Sequence, residues 1–243
     1  MLLTNKTTQS LEDTLKSTIP NIKAFDILVG YFYFSGFAAI HSESLKDVPL
    51  RILVGLEAQK NMRNHIFEVE QIDGVISAKS RAEIRREYYE KFCDIFNSTD
   101  FYDSESAMQS FELFCTKIKE GTLQIRKTKE PNHAKMYILS YKDSSSSNGF
   151  VPGMVVVGSS NLSLHGLRDR YEINSVMSDK ADYDAAVEIF EELWNSSIEL
   201  ADKDHWTEFE EGVISRIWFD KVFQPFLVYL KVLDEYFSLE INR

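Results

Sequence analysis

The chain has 243 residues, 44% hydrophobic and 13% aromatic, which supports a sizeable core and excludes global disorder. No run approaches 18 uninterrupted apolar residues and Met1–Lys6 carries no apolar signal segment, so the expectation is a soluble cytoplasmic protein that does not enter membranes. The net charge of −11 speaks against a nucleic-acid partner only until its distribution is read: residues 178–212 hold 12 acids and 2 bases, leaving −1 for the rest.

One α/β domain with an appendage suits this length. Ser10-Leu11-Glu12-Asp13 has the form of a helix capping box, with Leu11, Leu15 and Ile19 on one face and Pro20 ending it. Phe25–Phe34 reads as a buried strand closed by Ser35-Gly36, followed by a short helix with Phe37 and Ile40 inward. Leu50–Leu56 is a second continuous apolar strand, so a parallel crossover in a sheet covered on both faces is expected. Residues 60–120 break this rhythm. Tyr88 or Tyr89, Phe92 and Phe96, then Ala107, Phe111, Phe114 and Ile118, recur at helical spacing and predict two helices, joined by the 97–103 loop, as a lid or insertion. Arg81, Arg85 and Arg86 at the start of the first are read as its solvated face. Cys93 and Cys115 fall in these helices without metal-ligand spacing, as buried reduced thiols would.

Gly121 ends the insertion, and Leu123–Lys127 is a strand leading through Pro131 to another at His133–Tyr141. The serine tract Ser144–Ser147 with Asn148-Gly149 reads as a flexible surface turn before the apolar run Met154–Val157. Tyr171–Met177 is a further strand. Tyr183, Val187, Phe190 and Trp194 then form a helix face over the sheet, with Asp182, Asp184, Glu188, Glu191 and Glu192 outward. Residues 208–240 are helical and aromatic, a face that needs a partner. A domain over 1–200 and a helical extension over 201–243 follow.

The chemistry concentrates between Asn132 and Glu172. Side chains alternate along a strand, so His133 and Lys135 point to one side and Ala134 to the other. Gly158-Ser159-Ser160-Asn161 forms a turn after the next strand, and Glu172 opens the one after that. An imidazole, an ammonium, an amide and a carboxylate are thus delivered from neighbouring strand ends. Lys117, Lys119, Arg126, Lys127, Lys129 and Lys135 against Glu120 and Glu130 form a basic stretch beside them, either a local field suited to phosphates or a solvated strand edge. Arg126, Lys127, Lys129 and His165, which follows the Asn161 turn, are the candidate substrate-binding residues.

His133-x-Lys135 followed by Gly158-Ser159-x-Asn161 resembles the signature of the phospholipase D superfamily, H-x-K-x4-D with a later G-S/G-x-N. Glu172, eleven residues after Asn161, sits where nucleases of that superfamily place a trailing acid. Two features depart: the aspartate five residues after the lysine is Ser140, and the 28 residues from His133 to Asn161 are long, the serine-rich loop being the apparent insertion. The resemblance implies an α/β fold with a mixed, mostly parallel central sheet flanked by helices. It also implies metal-independent phosphodiester cleavage through a phosphohistidine, with catalytic His133, Lys135, Ser159, Asn161 and Glu172. Glu172 would accept from the second imidazole nitrogen and Ser159 would hold the turn. No metal or other cofactor is expected; Glu57-Ala58-Gln59-Lys60 only loosely matches the E-x-K of metal nucleases. His41, His65, His165 and His205 lack the following lysine, so one chain carries one motif. Single-motif members pair two copies about a two-fold axis, which implies a homodimer with a shared site. Residues 225–237 resemble the linker after such domains at the N-terminus of certain helicases, which implies a helicase-associated nuclease acting on nucleic acid, DNA first. The competing expectation is a catalytically idle module of the same fold that dimerises and holds DNA. Lipid cleavage has little support, since no basic amphipathic helix is evident.

Overall fold

The computed structural model describes residues 1–5, 10–55, 80–97, 105–142, 145–146 and 149–216. Its strands are β1 (Leu2–Thr4), β2 (Ile22–Val29), β3 (Leu50–Val54), β4 (Leu123–Lys127), β5 (Met136–Tyr141), β6 (Ser145–Ser146), β7 (Gly149–Phe150), β8 (Gly153–Gly158), β9 (Ile173–Met177) and β10 (Ile198–Ala201). Its α-helices are α1 (Leu11–Thr18), α2 (Phe34–Ala39), α3 (Arg81–Asn97), α4 (Glu105–Glu120), α5 (Lys180–Ser196) and α6 (Trp206–Phe209). Eight strands make one sheet in the order β1-β9-β8-β5-β2-β3-β4-β10, and β6 pairs with β7 alone.

The sheet is mixed, as expected, but not mostly parallel. Only β2–β3 and β3–β4 pair in parallel among the described strands; the other neighbours are antiparallel. The reason is connection length. A parallel pair needs a crossover, which α2 supplies between β2 and β3 and the α3–α4 segment supplies between β3 and β4. Among the described residues the chain from β5 to β8 contains only the small β6–β7 hairpin, so those strands run antiparallel. That hairpin replaces the featureless serine turn of the sequence reading.

Local signals explain the elements. Ser10 Oγ accepts from the Asp13 N–H at 3.1 Å and the Asp13 carboxylate accepts from the Ser10 N–H at 3.1 Å, a reciprocal cap that starts α1. Gly121, at φ +80°, stops α4 by donating to the Ile118 carbonyl. Asp179 caps α5 by accepting from the Asp182 N–H at 2.9 Å.

Two cores sandwich the sheet. On one face α1, α2, α3 and α4 bury Leu15, Phe37, Phe92 and Phe114 against Phe25, Ile52 and Tyr137. On the other, α5 lays Ala186, Phe190 and Trp194 over Leu28, Leu53, Ile138 and Val155. The alternating side chains of β2, β5 and β8 divide between these cores, as strands covered on both faces must. The α3–α4 pair is accordingly not a lid: Phe92 and Phe114 stack at 6.0 Å inside the main core. The start of the expected extension belongs to the same body, because β10 pairs with β4 and Phe209 and Val213 are buried. The readings placed on 56–79, 98–104 and 217–243, including Glu57–Lys60, His65 and the linker-like segment, lie outside the described residues.

Candidate active site

One edge of the sheet collects the motif. The parallel strands β2, β3 and β4 end there at Val29, Val54 and Lys127; β5 and β9 begin there and β8 ends there. The registers Leu28↔Met136, Met136↔Val157 and Gly158↔Asn174 put His133, Lys135, Ser159, Asn161 and Glu172 in the segments just outside adjacent strands. With neighbouring strands ~4.8 Å apart, these segments span about 10 Å.

His133 and Lys135 precede the strand rather than lie within it, since β5 starts at Met136. The segment is nonetheless held. The Asn132 N–H donates to the Gly55 carbonyl, Asn132 Oδ1 accepts from the Ala134 N–H at 2.8 Å, and the Gly158 N–H donates to the Lys135 carbonyl. Asn132 stays so close because Gly55 has no side chain: a Cβ there would lie 1.9 Å from the Asn132 carbonyl oxygen. His133 is exposed. Lys135 is only 5% exposed, and its Nζ donates to the His133 carbonyl at 2.7 Å. Burial and the Lys135 charge hold the His133 imidazole below the ordinary histidine range. Burial likewise lowers the Lys135 ammonium, opposed by the Glu172 carboxylate.

The Asn161 turn is mounted on α2. Asn161 Oδ1 accepts from the Tyr31 N–H at 2.9 Å, which leaves the amide NH2 as the donor group. The Tyr33 N–H donates to the Leu162 carbonyl, and Gly36 lets α2 approach: a Cβ there would meet the Leu162 carbonyl carbon at 2.3 Å. Beneath the turn, Tyr137 Oη donates to the Ser160 carbonyl at 2.9 Å, and Asn174 Nδ2 donates to Ser160 Oγ at 2.9 Å. Tyr31, Tyr137, Ser160 and Asn174 thus position the site, and the sequence reading missed all four in that role. Asn174 shares the i, i+2 parity of Glu172 along β9, a signal that was available.

Glu172 differs from its expected role. Its carboxylate accepts from the Ser159 hydroxyl, and no hydrogen bond joins it to His133. Ser159 Oγ also accepts from the Ile173 N–H at 3.1 Å, so the serine ties the acid to the start of β9, and the Glu172 charge acts on Lys135.

The substrate-binding candidates separate. Lys129 is exposed in the 128–132 segment, which crosses the end of β3 by way of the Thr128 N–H to Val54 carbonyl bond. His165 is exposed in a wide helical turn, His165–Asp169, after Asn161. Lys127 is buried at the end of β4, three strand spacings or ~14 Å from β5. Arg126 is not delivered at all: its guanidinium lies 4.5 Å from the Trp194 ring centroid and donates to the Trp194 carbonyl, because its strand parity points it at α5. Of the other histidines, His41 meets Ser110 Oγ at 2.7 Å and His205 meets Asp202 at 2.7 Å, both away from this edge. Among the described residues no three His, Cys, Asp or Glu side chains come together as a metal site.

A family model described as the PLD-like domain of cardiolipin synthase matches residues 15–194. The chain belongs to the phospholipase D superfamily. Among solved structures, this superfamily member is similar to Nuc, a phospholipase D family member from Salmonella typhimurium, at 12% identity and TM-score 0.44, covering 82% of this chain and 95% of that one. It is also similar to NucT from Helicobacter pylori, at 12% identity and TM-score 0.40, covering 77% and 89%. TrmBL2, an archaeal chromatin protein, aligns at 13% identity and TM-score 0.38, covering 81% and 54%. No curated protein matches the sequence. The superfamily's aspartate position, Ser140, is occupied in a self-consistent way. Ser140 Oγ and Tyr183 Oη hydrogen-bond at 2.6 Å, tying β5 to α5. That bond lies five residues, or ~17 Å of strand, from Lys135, at the opposite end of β5 from the candidate site.

Proposed function

We propose that this phospholipase D superfamily member is a metal-independent phosphodiesterase acting on nucleic acid, DNA first. The observation that carries the reading is the convergence of His133, Lys135 and Asn161 at one sheet edge, the imidazole exposed and the amide locked as a donor. His133, kept neutral by its lowered pKa, attacks phosphorus; the phosphorus–oxygen bond to the leaving group breaks and a phosphohistidine forms. Lys135 and Asn161 donate to the non-bridging oxygens, stabilising charge that grows in the transition state. Water then attacks the phosphohistidine and releases the second product.

The leaving alkoxide needs a proton, which a second His133, from a partner copy and in its imidazolium form, supplies; the two identical imidazoles share one proton as a coupled pair. Two observations favour such a homodimer. One chain presents one His-x-Lys pair at this edge, and an apolar patch borders it: Leu2 is 70% exposed, Tyr171 67%, Ile173 51% and Val157 39%. Lys129 and His165 flank the path a polynucleotide backbone would take, and the residues after 216 would join the domain to a helicase. No helix among the described residues is long and apolar enough to cross a membrane.

The test is cleavage of DNA and RNA in excess chelator, with trapping of a labelled phosphoprotein by alkaline denaturing quench and His133→Ala as control. Chelator-resistant cleavage and a label lost in His133→Ala are expected. Loss of cleavage in chelator would overturn the mechanism. DNA binding and dimerisation without cleavage would establish the idle-module alternative.

A further inference from the structure

Beside Asn161 lies a feature that phosphodiester chemistry alone does not require. After β2 the chain continues as Tyr31-Phe32-Tyr33, still extended enough for Phe32 to bridge Leu162. Alternation sends Phe32 into the core, where it stacks on Phe114 at 6.1 Å, and turns Tyr31 and Tyr33 to the opposite side. There both residues are half-buried, their rings 6.4 Å apart and tilted by 40°. They are close to the reacting groups through a short path: the Tyr31 N–H is the donor that fixes Asn161. Arg170 is exposed, its backbone N–H donates to the His165 carbonyl at 2.9 Å, and its charge acts on the Tyr33 phenol. Two aromatic rings therefore border the candidate site on the side of β2, with the Arg170 charge acting on one of them.

Solvated tyrosines are common and by themselves assign nothing. Here three placements coincide. The pair sits on one face, its backbone holds a phosphate donor, and the positive charge of Arg170 acts on it. Only an aromatic partner that is not already stacked gains from such a platform, since a paired base offers no free face. We propose that Tyr31 and Tyr33, with Arg170, form a base-stacking subsite for an unpaired nucleotide next to the scissile phosphate, making single-stranded nucleic acid the preferred substrate. This rests on the phosphodiesterase reading and specifies its substrate class.

The test uses chromogenic diesters and the full chain. Thymidine 4-nitrophenyl phosphates, linked through the 3′ or the 5′ oxygen, are compared with the same diesters lacking the base. In at least one linkage the base should raise kcat/KM about tenfold, the scale of one stacking contact. That advantage should shrink to about twofold or less in Tyr33→Ala and survive in Tyr33→Phe. A single-stranded oligonucleotide should also be cut about tenfold faster than its duplex. If the wild-type protein hydrolyses the base-free diesters but gains nothing from the base in either linkage, the subsite is refuted while the phosphodiesterase stands. That comparison needs no variant to fold. If no diester of any kind is hydrolysed, the phosphodiesterase reading fails and takes the subsite with it.

Discussion

Replacing Tyr137 by Phe removes one oxygen from the floor of the site and should affect both stability and turnover. Tyr137 is fully buried on β5, two residues after Lys135, and burial raises its phenol well above the usual range, so it remains a protonated donor. Its one acceptor is the carbonyl of Ser160, a residue that is itself fully buried in the turn carrying Ser159 and Asn161. The variant loses a hydrogen bond of net ~1 kcal/mol and leaves a buried carbonyl unsatisfied, for a total of about 2 kcal/mol. Urea unfolding at fixed protein concentration, needed because a dimer's midpoint depends on concentration, reads this directly. With a slope of ~3 kcal/mol/M, the midpoint should fall by about 0.7 M without a change in slope. The freed turn should also lower kcat about tenfold while KM changes less, since Asn161 is asked to act in the transition state. A midpoint within about 0.1 M of wild type would refute the energetic reasoning. A normal kcat at a lowered midpoint would refute the link from Tyr137 through Ser160 to Asn161.

Asn161→Ala deletes a locked oxyanion donor and should lower kcat by about 10²–10³ with a small change in KM; equal affinity and turnover would remove Asn161 from the mechanism. Because burial and Lys135 both lower the His133 pKa from 6.5, the neutral nucleophile persists to lower pH than for a free imidazole. The acidic limb of kcat/KM, which reports the free enzyme, should therefore lie below 6.5, and a limb at or above that value would contradict the assignment. Ile173→Glu puts a charge on the half-exposed patch beside the site and should shift sedimentation from dimer toward monomer, with activity falling in parallel. Full activity in a monomer would remove the shared site.

The layers of the fold were legible because burial on both faces leaves continuous apolar runs. Met154–Val157 is such a run, and Phe25–Val29 and Leu50–Val54 are interrupted only by Asp26 and Arg51, which pair with each other across the two strands; each run is a strand. The outer strands β1 and β10 were not anticipated. Leu2–Thr4 is too short to show a period, and the 198–201 segment holds Glu199 because an edge strand keeps one side wet. The parallel bias of the expectation came from treating apolar continuity as evidence of strand direction, which it is not. In the site, spacing brought His133, Lys135, Asn161 and Glu172 to one edge, but partner choice was invisible. Glu172 engages Ser159, and Arg126 leaves the site for Trp194, through contacts between residues 13 and 68 positions apart.

The place of the site follows from strand direction. β2 is parallel to β3 on one side and antiparallel to β5 on the other, so the change of direction falls between β2 and β5. The chain leaving β2 runs to the turn after β8, where the Tyr31 and Tyr33 N–H groups donate to Asn161 Oδ1 and the Leu162 carbonyl, while the chain entering β5 arrives across the end of β3. Lys135 and Asn161 lie beside that junction, each anchored by a backbone group of another segment: the Lys135 carbonyl by Gly158 and the Asn161 amide by Tyr31. Ser140, at the other end of the same strand, faces a closed edge where α5 begins, so the position can exchange a carboxylate for a hydroxyl paired with Tyr183. Ser140 and Lys135 are thus two ends of one strand, the first held against α5 by Tyr183 and the second placed among the candidate site residues.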